Sequence, residues 1–376
     1  MNPMRILLVS SSFFPEQSPR AFRTSELAKE LARQGHTVSV LTLNRNRDYS
    51  DYEKQYNLHI LPEIRPRFYR TDVFRAGRGF IKRIVDRILY QFFFFPELEL
   101  SWLISKSIRK QSDRFDLLIS VAKPYSVHIG CALAYKTIKK NKSGWIADCG
   151  DPFTLSKSDS WHFPFYVSWI ERWMFKKVDF ITVPVESARQ AYYPEFNEKI
   201  RIIPQGFDFD EIKLLRGTVE NSCPTFAYAG ALYQKTRNPR KFLEFLLSIK
   251  DDYKFILFTG NSELVIPYML KSEGKIEVRK PILRADLMVE LSKMDFLVNV
   301  DNVFKEQVPS KLIDYTLIGR PVLNIEPETI DKELIIEFLR GNYAGQYLVS
   351  NIEDYRISNV AKQFLELFNL NMDVPH

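Results

Sequence analysis

Short apolar runs of strand length alternate with helix-length segments along most of the chain, and this alternation limits the folds open to it. Arg5–Ser10 is the first such run. The segment after it is typical of a helix that Ser18 caps, that begins at Pro19 and that ends at Gly35. Thr37–Leu43, rich in β-branched residues, is again strand-like. Because parallel strands need a crossover between them, this order predicts a parallel α/β sheet.

The alternation continues and falls into two series. The later apolar runs of the first series lie at residues 116–121, 144–147 and 180–185. Those of the second series lie at residues 226–229, 253–259, 276–279, 296–300 and 321–325. The turn-rich stretch Pro204-Gln-Gly-Phe-Asp208 separates them, and 376 residues exceed the size at which one core stops growing. We therefore predict two doubly wound domains, 1–205 and 206–350, and a C-terminal helix within 351–376 that is free to pack back on the first domain.

The composition excludes several classes of protein. The chain has no run of about 18 apolar residues, so we expect no transmembrane helix. Its first residues lack the long apolar stretch of a signal peptide, so we expect a cytoplasmic protein. Cys131, Cys149 and Cys223 are isolated and form no CxxC pair. The sequence therefore predicts neither a disulfide framework nor a zinc site.

Positive charge is concentrated in one segment. The formal net charge is +7, and residues 65–87 hold eight basic residues against Asp72 and Asp86. Aromatic residues are interleaved with these cations, and the strongly apolar stretch 88–95 follows. A basic amphipathic segment of this kind binds an anionic membrane surface. We therefore predict peripheral association with the inner face of the cell membrane, and no nucleic-acid partner because no RNA- or DNA-binding motif is present.

One stretch, residues 306–323, combines two acidic residues with a predicted helix start. Glu306 precedes this helix and Asp314 lies in its early turns. The N–H groups at a helix start have no partner within the helix and attract anions, and a lysine there adds a full charge. The residues of this predicted anion site are Pro309, Ser310 and Lys311. A nucleoside diphosphate fits such a site.

This stretch resembles the E-x7-E region of retaining two-domain glycosyltransferases of the GT4 type, which have the GT-B fold. Glu306 and Asp314 stand at the two acidic positions, the second being Asp where the family usually has Glu. The resemblance implies that Glu306 is a catalytic residue near the donor sugar and that Asp314 binds the ribose of the nucleotide. It also implies two facing Rossmann-like, doubly wound parallel-sheet domains with the ligands in the cleft between them.

The first strand and loop of the second series resemble the family's donor domain, with Gly230 at the strand end. In the family, two cations bind the pyrophosphate, one directly after this glycine and one a few residues later. Arg237 fits the later position, whereas Ala231 occupies the earlier one. Lys235 or Lys311 would substitute for the missing cation.

Two stretches of the first series, residues 123–128 and 145–152, resemble the PPxSxH and WxADxxDP stretches of polysaccharide-type members of the family. Together with the first loop they place side chains at predicted strand ends, where these would face the cleft. The predicted acceptor-binding residues are Arg20, His128 and Asp148. Asp151 is a second predicted catalytic residue, because an aspartate there would orient or deprotonate the acceptor hydroxyl. A purely structural capping role stays open for both aspartates.

The resemblance implies transfer of a sugar from a UDP- or GDP-sugar, with retention, to a saccharide acceptor that is lipid-linked, in surface polysaccharide assembly. We expect no cofactor and no metal, because Asp208-Phe-Asp210 matches a metal-binding DxD motif only at the predicted linker. Protein cations and helix N–H groups would instead stabilise the departing diphosphate. Two alternatives stay open. One is a non-catalytic sugar-nucleotide-binding or scaffold protein of the same fold, which Ala231 favours, and the other is a sugar-nucleotide epimerase, which would alter the donor alone.

Overall fold

A computed structural model of the protein describes residues 2–16, 18–43, 45–66, 97–111, 114–155, 164–210, 220–301 and 310–372. Contacts divide the chain into two compact units, one made of Met1–Phe207 with Ile357–His376 and the other of Asp208–Arg356. Each unit is built on a parallel sheet with connecting helices, so the predicted α/β class with two parallel-sheet domains is confirmed. Within the ranges given above, no helix is both long enough and apolar enough to cross a membrane.

The described part of the first unit contains seven parallel strands in the order β3-β2-β1-β4-β5-β6-β7. These strands are β1 (Arg5–Ser10), β2 (Thr37–Leu43), β3 (Leu58–Ile64), β4 (Leu117–Ala122), β5 (Gly144–Cys149), β6 (Phe180–Val183) and β7 (Ile200–Ile202). The helices that connect them are α1 (Pro19–Arg33), α2 (Ser50–Tyr56), α3 (Leu98–Lys110), α4 (Ser126–Leu133), α5 (Tyr135–Lys140) and α6 (Phe165–Phe175). Two 3-10 turns, Glu186–Ala191 and Pro194–Lys199, lie between β6 and β7.

In the second unit, the described residues form five parallel strands in the order β10-β9-β8-β11-β12. These strands are β8 (Thr225–Ala229), β9 (Lys254–Phe258), β10 (Ile276–Arg279), β11 (Phe296–Val300) and β12 (Val322–Ile325). Its helices are α7 (Arg240–Ser248), α8 (Ile266–Met269), α9 (Arg284–Leu291), α10 (Ser310–Ile318) and α11 (Lys332–Leu339), with 3-10 turns at Ser262–Leu264 and Ile352–Tyr355. The chain then returns to the first unit as α12 (Ile357–Met372).

Alternating residues of a strand point to opposite faces of the sheet, and in the first unit each face has its own apolar core. Leu7 and Val9 belong to the core beneath α3, α4, α5 and α6. Ile6 and Leu8 belong to the core beneath α1, α2 and α12. Helices therefore cover both faces, which is why the central strands are apolar along their whole length.

The helix that follows β1 begins and ends as its sequence predicts. The Ser18 side chain accepts a hydrogen bond from the N–H of Ala21 at 3.2 Å, and Pro19 is the first helical residue. Beyond the last turn, Gly35 has a φ of +89°, a conformation that glycine adopts without strain. These ends fix the position of α1, whose inner face carries Arg23 into the interior of the unit.

A buried ion pair joins α1 to β5. The guanidinium of Arg23 binds both carboxylate oxygens of Asp148, with its Nε 3.0 Å from Oδ2 and its Nη2 2.8 Å from Oδ1. The hydroxyl of Thr182 on β6 donates to Oδ1 as well, at 2.7 Å. Burial opposes ionisation, but Arg23, Thr182 and Arg20 hold the pKa of Asp148 below its ordinary value. The carboxylate is therefore ionised, buried and fully paired.

The same guanidinium reaches further elements of the unit. It donates to the carbonyl oxygens of Ile203, at 3.2 Å, and Pro204, just after β7. Its central carbon lies 5.2 Å from the ring centroid of Phe364 on α12. One buried cation thus links the first helix, β5, the segment after β7 and the C-terminal helix.

The structure differs from the sequence-based prediction in several elements. The helix-length segment between the apolar runs 116–121 and 144–147 forms two helices, α4 and α5, which meet at Ala134, where φ is −89° and ψ is 6°. The elements α2, β3, α3, α8 and α11 were absent from the prediction. Of these, α2, β3, α8 and α11 have eight residues or fewer, so their periodic patterns span too few residues to stand out.

The Arg23–Asp148 pair generates a stability prediction. We expect Arg23→Met to lower the free energy of unfolding of the first unit by about 3–5 kcal/mol, because it leaves a buried carboxylate without its cation. Urea unfolding followed by circular dichroism measures this loss. The control is Lys362→Met, which removes an exposed pair with Glu366 on α12 and should change stability by less than about 1 kcal/mol. If both variants lost the same free energy of unfolding, the buried pair would contribute no more to stability than the exposed one, and the prediction would be wrong.

Candidate functional site

The loop after β8 is shaped by a glycine. Gly230 follows the last residue of the strand with a φ of +137°, a conformation that side chains with a Cβ rarely adopt. The hydroxyl of Tyr228 donates to the carbonyl oxygen of Ala231 at 2.9 Å, which holds the turn against the strand. Further along, the backbones of Tyr233 and Arg237 pair with each other, with N–O distances of 3.1 and 3.0 Å. The loop therefore folds back on itself and brings Arg237 close to the end of β8.

Lys311 lies in the first turn of α10, beside this loop. Its Nζ is 4.1 Å from the ring centroid of Tyr228, and it makes no hydrogen bond to any residue that the structure describes. Burial lowers the pKa of Lys311 well below its ordinary value, the charge of Arg237 lowers it further, and Asp301 opposes both. A buried ammonium group without a hydrogen-bond acceptor is costly, and an anionic ligand would stabilise it.

Arg237 adds a second cationic donor at the same place. Its Nη1 donates to the carbonyl oxygen of Ala231 at 3.4 Å, while its buried Nε has no hydrogen-bond partner among the described residues. The N–H groups at the start of α10 lie next to Lys311. Two cations and a helix start converge here, so the arrangement is suited to bind an anion with several oxygen atoms.

Asp314, one turn further along α10, is held by an arginine that the sequence analysis missed. Arg284 begins α9 and donates to Asp314 with its Nη2, 2.6 Å from Oδ1, and with its Nε, 3.2 Å from the same oxygen. Burial raises the pKa of Asp314, and Arg284 counteracts this effect. The available signal was that Arg284 comes soon after the apolar run 276–279, but its partner lies 30 residues away in the chain.

The other predicted donor residues differ in how far the structure describes them. Lys235 is exposed in the loop after β8. Ser310 begins α10 and is described by its backbone alone. Glu306 and Pro309 lie outside the described residues. The donor site can therefore be built here around Gly230, Arg237, Lys311 and Asp314.

In the first unit, Arg20 and Asp151 lie together as a pair. The Nη2 of Arg20 is 2.9 Å from Oδ2 of Asp151, and both side chains keep some exposure to solvent. Arg20 also covers the backbone of Gly150 so closely that a Cβ there would lie 1.5 Å from its Nη1. A larger residue at position 150 would therefore displace the Arg20 guanidinium from Asp151. The hydroxyl of Tyr125 donates to the carbonyl oxygen of Asp151 at 2.5 Å and fixes its backbone.

His128 and Asp148, which the sequence also placed on the acceptor side, lie in the interior. His128 is fully buried, with its Nδ1 2.8 Å from Oγ of Ser120 and its Nε2 3.3 Å from Sγ of Cys149. Burial lowers the pKa of His128 to about 3, so its ring is neutral at physiological pH. Asp148 is occupied by Arg23. Their acceptor roles stay predictions, and the contacts of both side chains favour structural roles.

A buried carboxyl group, Glu171 on α6, fixes the loop that carries Asp151. Its Oε2 accepts hydrogen bonds from the hydroxyl of Thr154 and, at 3.3 Å, from the N–H of the same residue. Its Oε1 is buried and has no hydrogen-bond partner within the described chain. In the same loop, Phe153 stacks on Tyr125 with ring centroids 4.0 Å apart. Glu171 could not be recognised from the sequence, because nothing in the residue pattern distinguishes a buried helical carboxyl from an exposed one.

The described residues contain no cluster of three or more His, Cys, Asp or Glu side chains able to hold a metal ion. At the DxD sequence, the Oδ1 of Asp208 accepts a hydrogen bond from the N–H of Asp210 at 3.0 Å. This contact is a local turn between the two aspartates.

Comparison with known proteins identifies the fold. Residues 22–211 match the sequence profile described as Glycosyltransferase Family 4. A glycosyltransferase from Rickettsia africae ESF-5 is similar over 100% of both chains, with 13% identity and a TM-score of 0.66. Anabaena HepE, solved in complex with UDP and glucose, is similar over 98% of this chain and 100% of that chain, with 12% identity and a TM-score of 0.60.

A third solved structure is that of WaaB, a lipopolysaccharide outer core galactosyltransferase. It is similar over 98% of this chain and 100% of that chain, with 10% identity and a TM-score of 0.59. The search of curated proteins by sequence gives no match. With the two parallel-sheet units described above, the structural likenesses identify the GT-B fold.

Glu171 generates a prediction about pH. Burial raises the pKa of Glu171 from 4.5 to about 7. The stabilisation that comes from keeping it protonated is therefore complete below pH 4.5 and is lost as the pH rises through about 7. Glu171→Gln cannot titrate, so its stability relative to the wild type should rise across this window by about 3 kcal/mol.

Urea unfolding of both proteins at several pH values from 4 to 8 tests this prediction. Glu198→Gln, a change at an exposed position of the same unit, is the control and should follow the wild-type curve. If the curve of Glu171→Gln runs parallel to that of the wild type, Glu171 does not titrate as the structure implies.

Proposed function

The chain belongs to glycosyltransferase family 4, and from this premise we propose that it transfers a sugar from a UDP- or GDP-sugar whose diphosphate binds between Lys311 and Arg237. The observation that carries the proposal concerns two buried nitrogen atoms of cationic side chains, Nζ of Lys311 and Nε of Arg237. Neither atom has a hydrogen-bond acceptor among the described residues. A diphosphate supplies the oxygen acceptors that these nitrogens lack. Anabaena HepE, which has the same fold and was solved with UDP and glucose, supports this choice of ligand.

The chemistry of the reaction explains why cations stand here. When the bond between the anomeric carbon and the diphosphate breaks, negative charge grows on the departing diphosphate. Lys311, Arg237 and the backbone N–H of Ser310 would stabilise this charge in a site from which water is largely excluded. Because these groups supply positive charge, the proposed reaction needs no metal ion and no cofactor.

The remaining donor contacts are also part of the proposal. Glu306 would orient the donor sugar, and Pro309 would shape the start of the helix. Asp314 would accept hydrogen bonds from the ribose hydroxyls with the carboxylate that Arg284 positions. We further propose that the configuration at the anomeric carbon is retained, as the resemblance of residues 306–323 to retaining enzymes implies.

On the acceptor side, Asp151 is the proposed group that orients or deprotonates the attacking hydroxyl, and Arg20 holds it in place. The proposed acceptor is a lipid-linked saccharide in the assembly of a surface polysaccharide, and the protein would associate peripherally with the inner face of the cell membrane. The basic segment 65–87, which lies almost entirely outside the described residues, supports this location. The likeness in fold to WaaB agrees with the polysaccharide role.

Ala231 stands where the family has a cation, and this missing cation favours the alternative of a non-catalytic sugar-nucleotide-binding protein. However, the side chain of Lys311 passes close to the preceding residue, with its Cδ 3.9 Å from where a Cβ on Gly230 would lie. A cation thus reaches this part of the loop from α10. Binding of UDP without any transfer of its sugar would favour the non-catalytic alternative.

The diphosphate site can be tested by comparing ligands that differ only in their phosphates. We expect Arg237→Ala and Lys311→Met each to weaken binding of UDP or GDP by about tenfold or more, because a hydrogen bond to a charged group contributes about 1.5–3 kcal/mol. Binding of the matching nucleoside should change little. Isothermal titration calorimetry measures both affinities.

The matched control is Lys241→Ala, which removes an exposed cation from α7 in the same unit. It should leave both affinities unchanged. Equal losses for diphosphate and nucleoside in the Arg237 and Lys311 variants would show that these residues do not bind the phosphates.

A further inference from the structure

The outer surface of one helical layer in the first unit is unusually aromatic. The helices α3, α4, α5 and α6 cover one face of the sheet and bury their inner sides in one core. On the outside of α3 and α6, five large apolar side chains remain exposed, and we call them the aromatic face. They are Leu98, Trp102, Phe165, Trp169 and Trp173. Exposed apolar groups gathered on one side of a protein mark an interaction surface.

The helical repeat arranges these residues in two rows. On α6, Phe165, Trp169 and Trp173 follow each other at four-residue spacing, and Phe165 and Trp169 are 73% and 65% exposed. Their rings lie edge to face, with centroids 5.3 Å apart. On α3, Leu98 and Trp102 have the same spacing. Neither row contributes to the core, so folding alone does not explain these residues.

Basic residues lie within and at the ends of the helices of this layer. The Nζ of Lys106 lies 5.0 Å from the ring centroid of Trp102, and the Nζ of Lys177 lies 4.9 Å from that of Trp173. Further exposed cations lie in α3 and α5 and just beyond α6, and these are Arg109, Lys110, Lys136, Lys140 and Lys176. The four helices contain only two acidic residues, Glu99 and Glu171, and the second is buried. The face therefore complements a negatively charged surface.

The topology places the aromatic rows near the proposed acceptor site. In a parallel sheet each crossover helix runs opposite to the strands, so it begins at the edge where the strands end. Leu98 begins α3, and the start of that helix is joined to the start of α4 by a hydrogen bond from the Ser126 hydroxyl to Glu97, at 2.7 Å. Phe165 begins α6, whose Glu171 binds the loop that carries Asp151. Leu98 and Phe165, which begin the two rows, therefore lie toward the same edge of the sheet as Asp151, whereas Trp173 lies toward the opposite edge.

We propose that the aromatic face docks the protein on an anionic lipid bilayer, with the helical layer of α3, α4, α5 and α6 lying along the headgroups. Tryptophan has an apolar ring with a polar N–H and is enriched at the boundary between headgroups and acyl chains, and nearby lysine and arginine bind anionic headgroups. The inference rests on the proposed function in one respect, since docking by this layer would bring a lipid-linked acceptor to the unit that carries Asp151. It adds a defined surface of folded helices to the basic segment 65–87.

Sedimentation of the full chain with vesicles tests the proposal. Vesicles of phosphatidylcholine with phosphatidylglycerol are compared with vesicles of phosphatidylcholine alone, at low and high salt. We expect binding to the anionic vesicles, weakened by salt. The double variant Phe165→Ser, Trp169→Ser should lower the partition coefficient for the anionic vesicles by about tenfold or more. Because both side chains are exposed, the variant is expected to fold, and circular dichroism checks this.

The matched control is Leu270→Ser, Leu348→Ser, which removes two leucines that are 75% and 74% exposed in the second unit. It should bind vesicles like the wild type. If the Phe165, Trp169 variant bound vesicles as well as the wild type does, the proposal would be overturned. If reversing the charges of residues 75, 78, 82 and 83 abolished binding at the same time, the basic segment would be the docking site. A change in oligomeric state without any change in vesicle binding would assign the face to a second copy of the chain and would likewise overturn it.

A second readout separates this proposal from the proposed function. UDP affinity, measured in the absence of vesicles, should be the same in the wild type and the Phe165, Trp169 variant. Loss of vesicle binding with unchanged UDP affinity supports docking by the aromatic face. If the wild type binds anionic vesicles through this face but does not bind UDP or GDP, the docking surface stands and the proposed function fails.

Discussion

Parallel pairing of all the described strands is the constraint on which the rest of the structure depends. It places the ends of the strands and the starts of the crossover helices at one edge of each sheet. In the second unit, β8 and β11 are neighbours, so the loop that begins at Gly230 lies beside the start of α10, the helix that follows β11. This adjacency brings Lys311 and Arg237 to one place. In the first unit, the same rule places Asp151 after β5 and Arg20 in the helix after β1.

Two buried charges show how structural and functional roles can be distinguished. Asp148 has both of its oxygens occupied by Arg23 and Thr182, and these contacts join elements from across the first unit. The ammonium nitrogen of Lys311 is also buried, yet it has no hydrogen-bond acceptor in the described chain. A saturated buried ion pair holds a fold together, whereas an unsaturated buried cation stores a cost that an anionic ligand relieves. This contrast assigns the first to the framework and supports ligand binding by the second.

The sequence named several residues of the candidate site. Lys311 was predicted from a helix start, and Gly230 and Arg237 from the family resemblance, and the structure brings these three residues together. Arg20 and Asp151 were predicted separately, and their pairing was not visible in the sequence. Whether a side chain is buried or exposed was not visible in the sequence. His128 follows a strand just as the exposed residues do, but only the packing of α4 against the sheet places it in the interior. Nor could the sequence show that Arg284 would meet Asp314, since that pairing depends on how α9 and α10 pack together.

The most direct test of the central claim is a crystal structure of the protein with UDP, supported by a second structure with the matching nucleoside. The account predicts diphosphate oxygens within hydrogen-bond distance of Lys311 Nζ and Arg237 Nε, next to the start of α10, and neither contact in the nucleoside complex. A diphosphate bound elsewhere on the protein, with the two nitrogens still lacking acceptors, would contradict it.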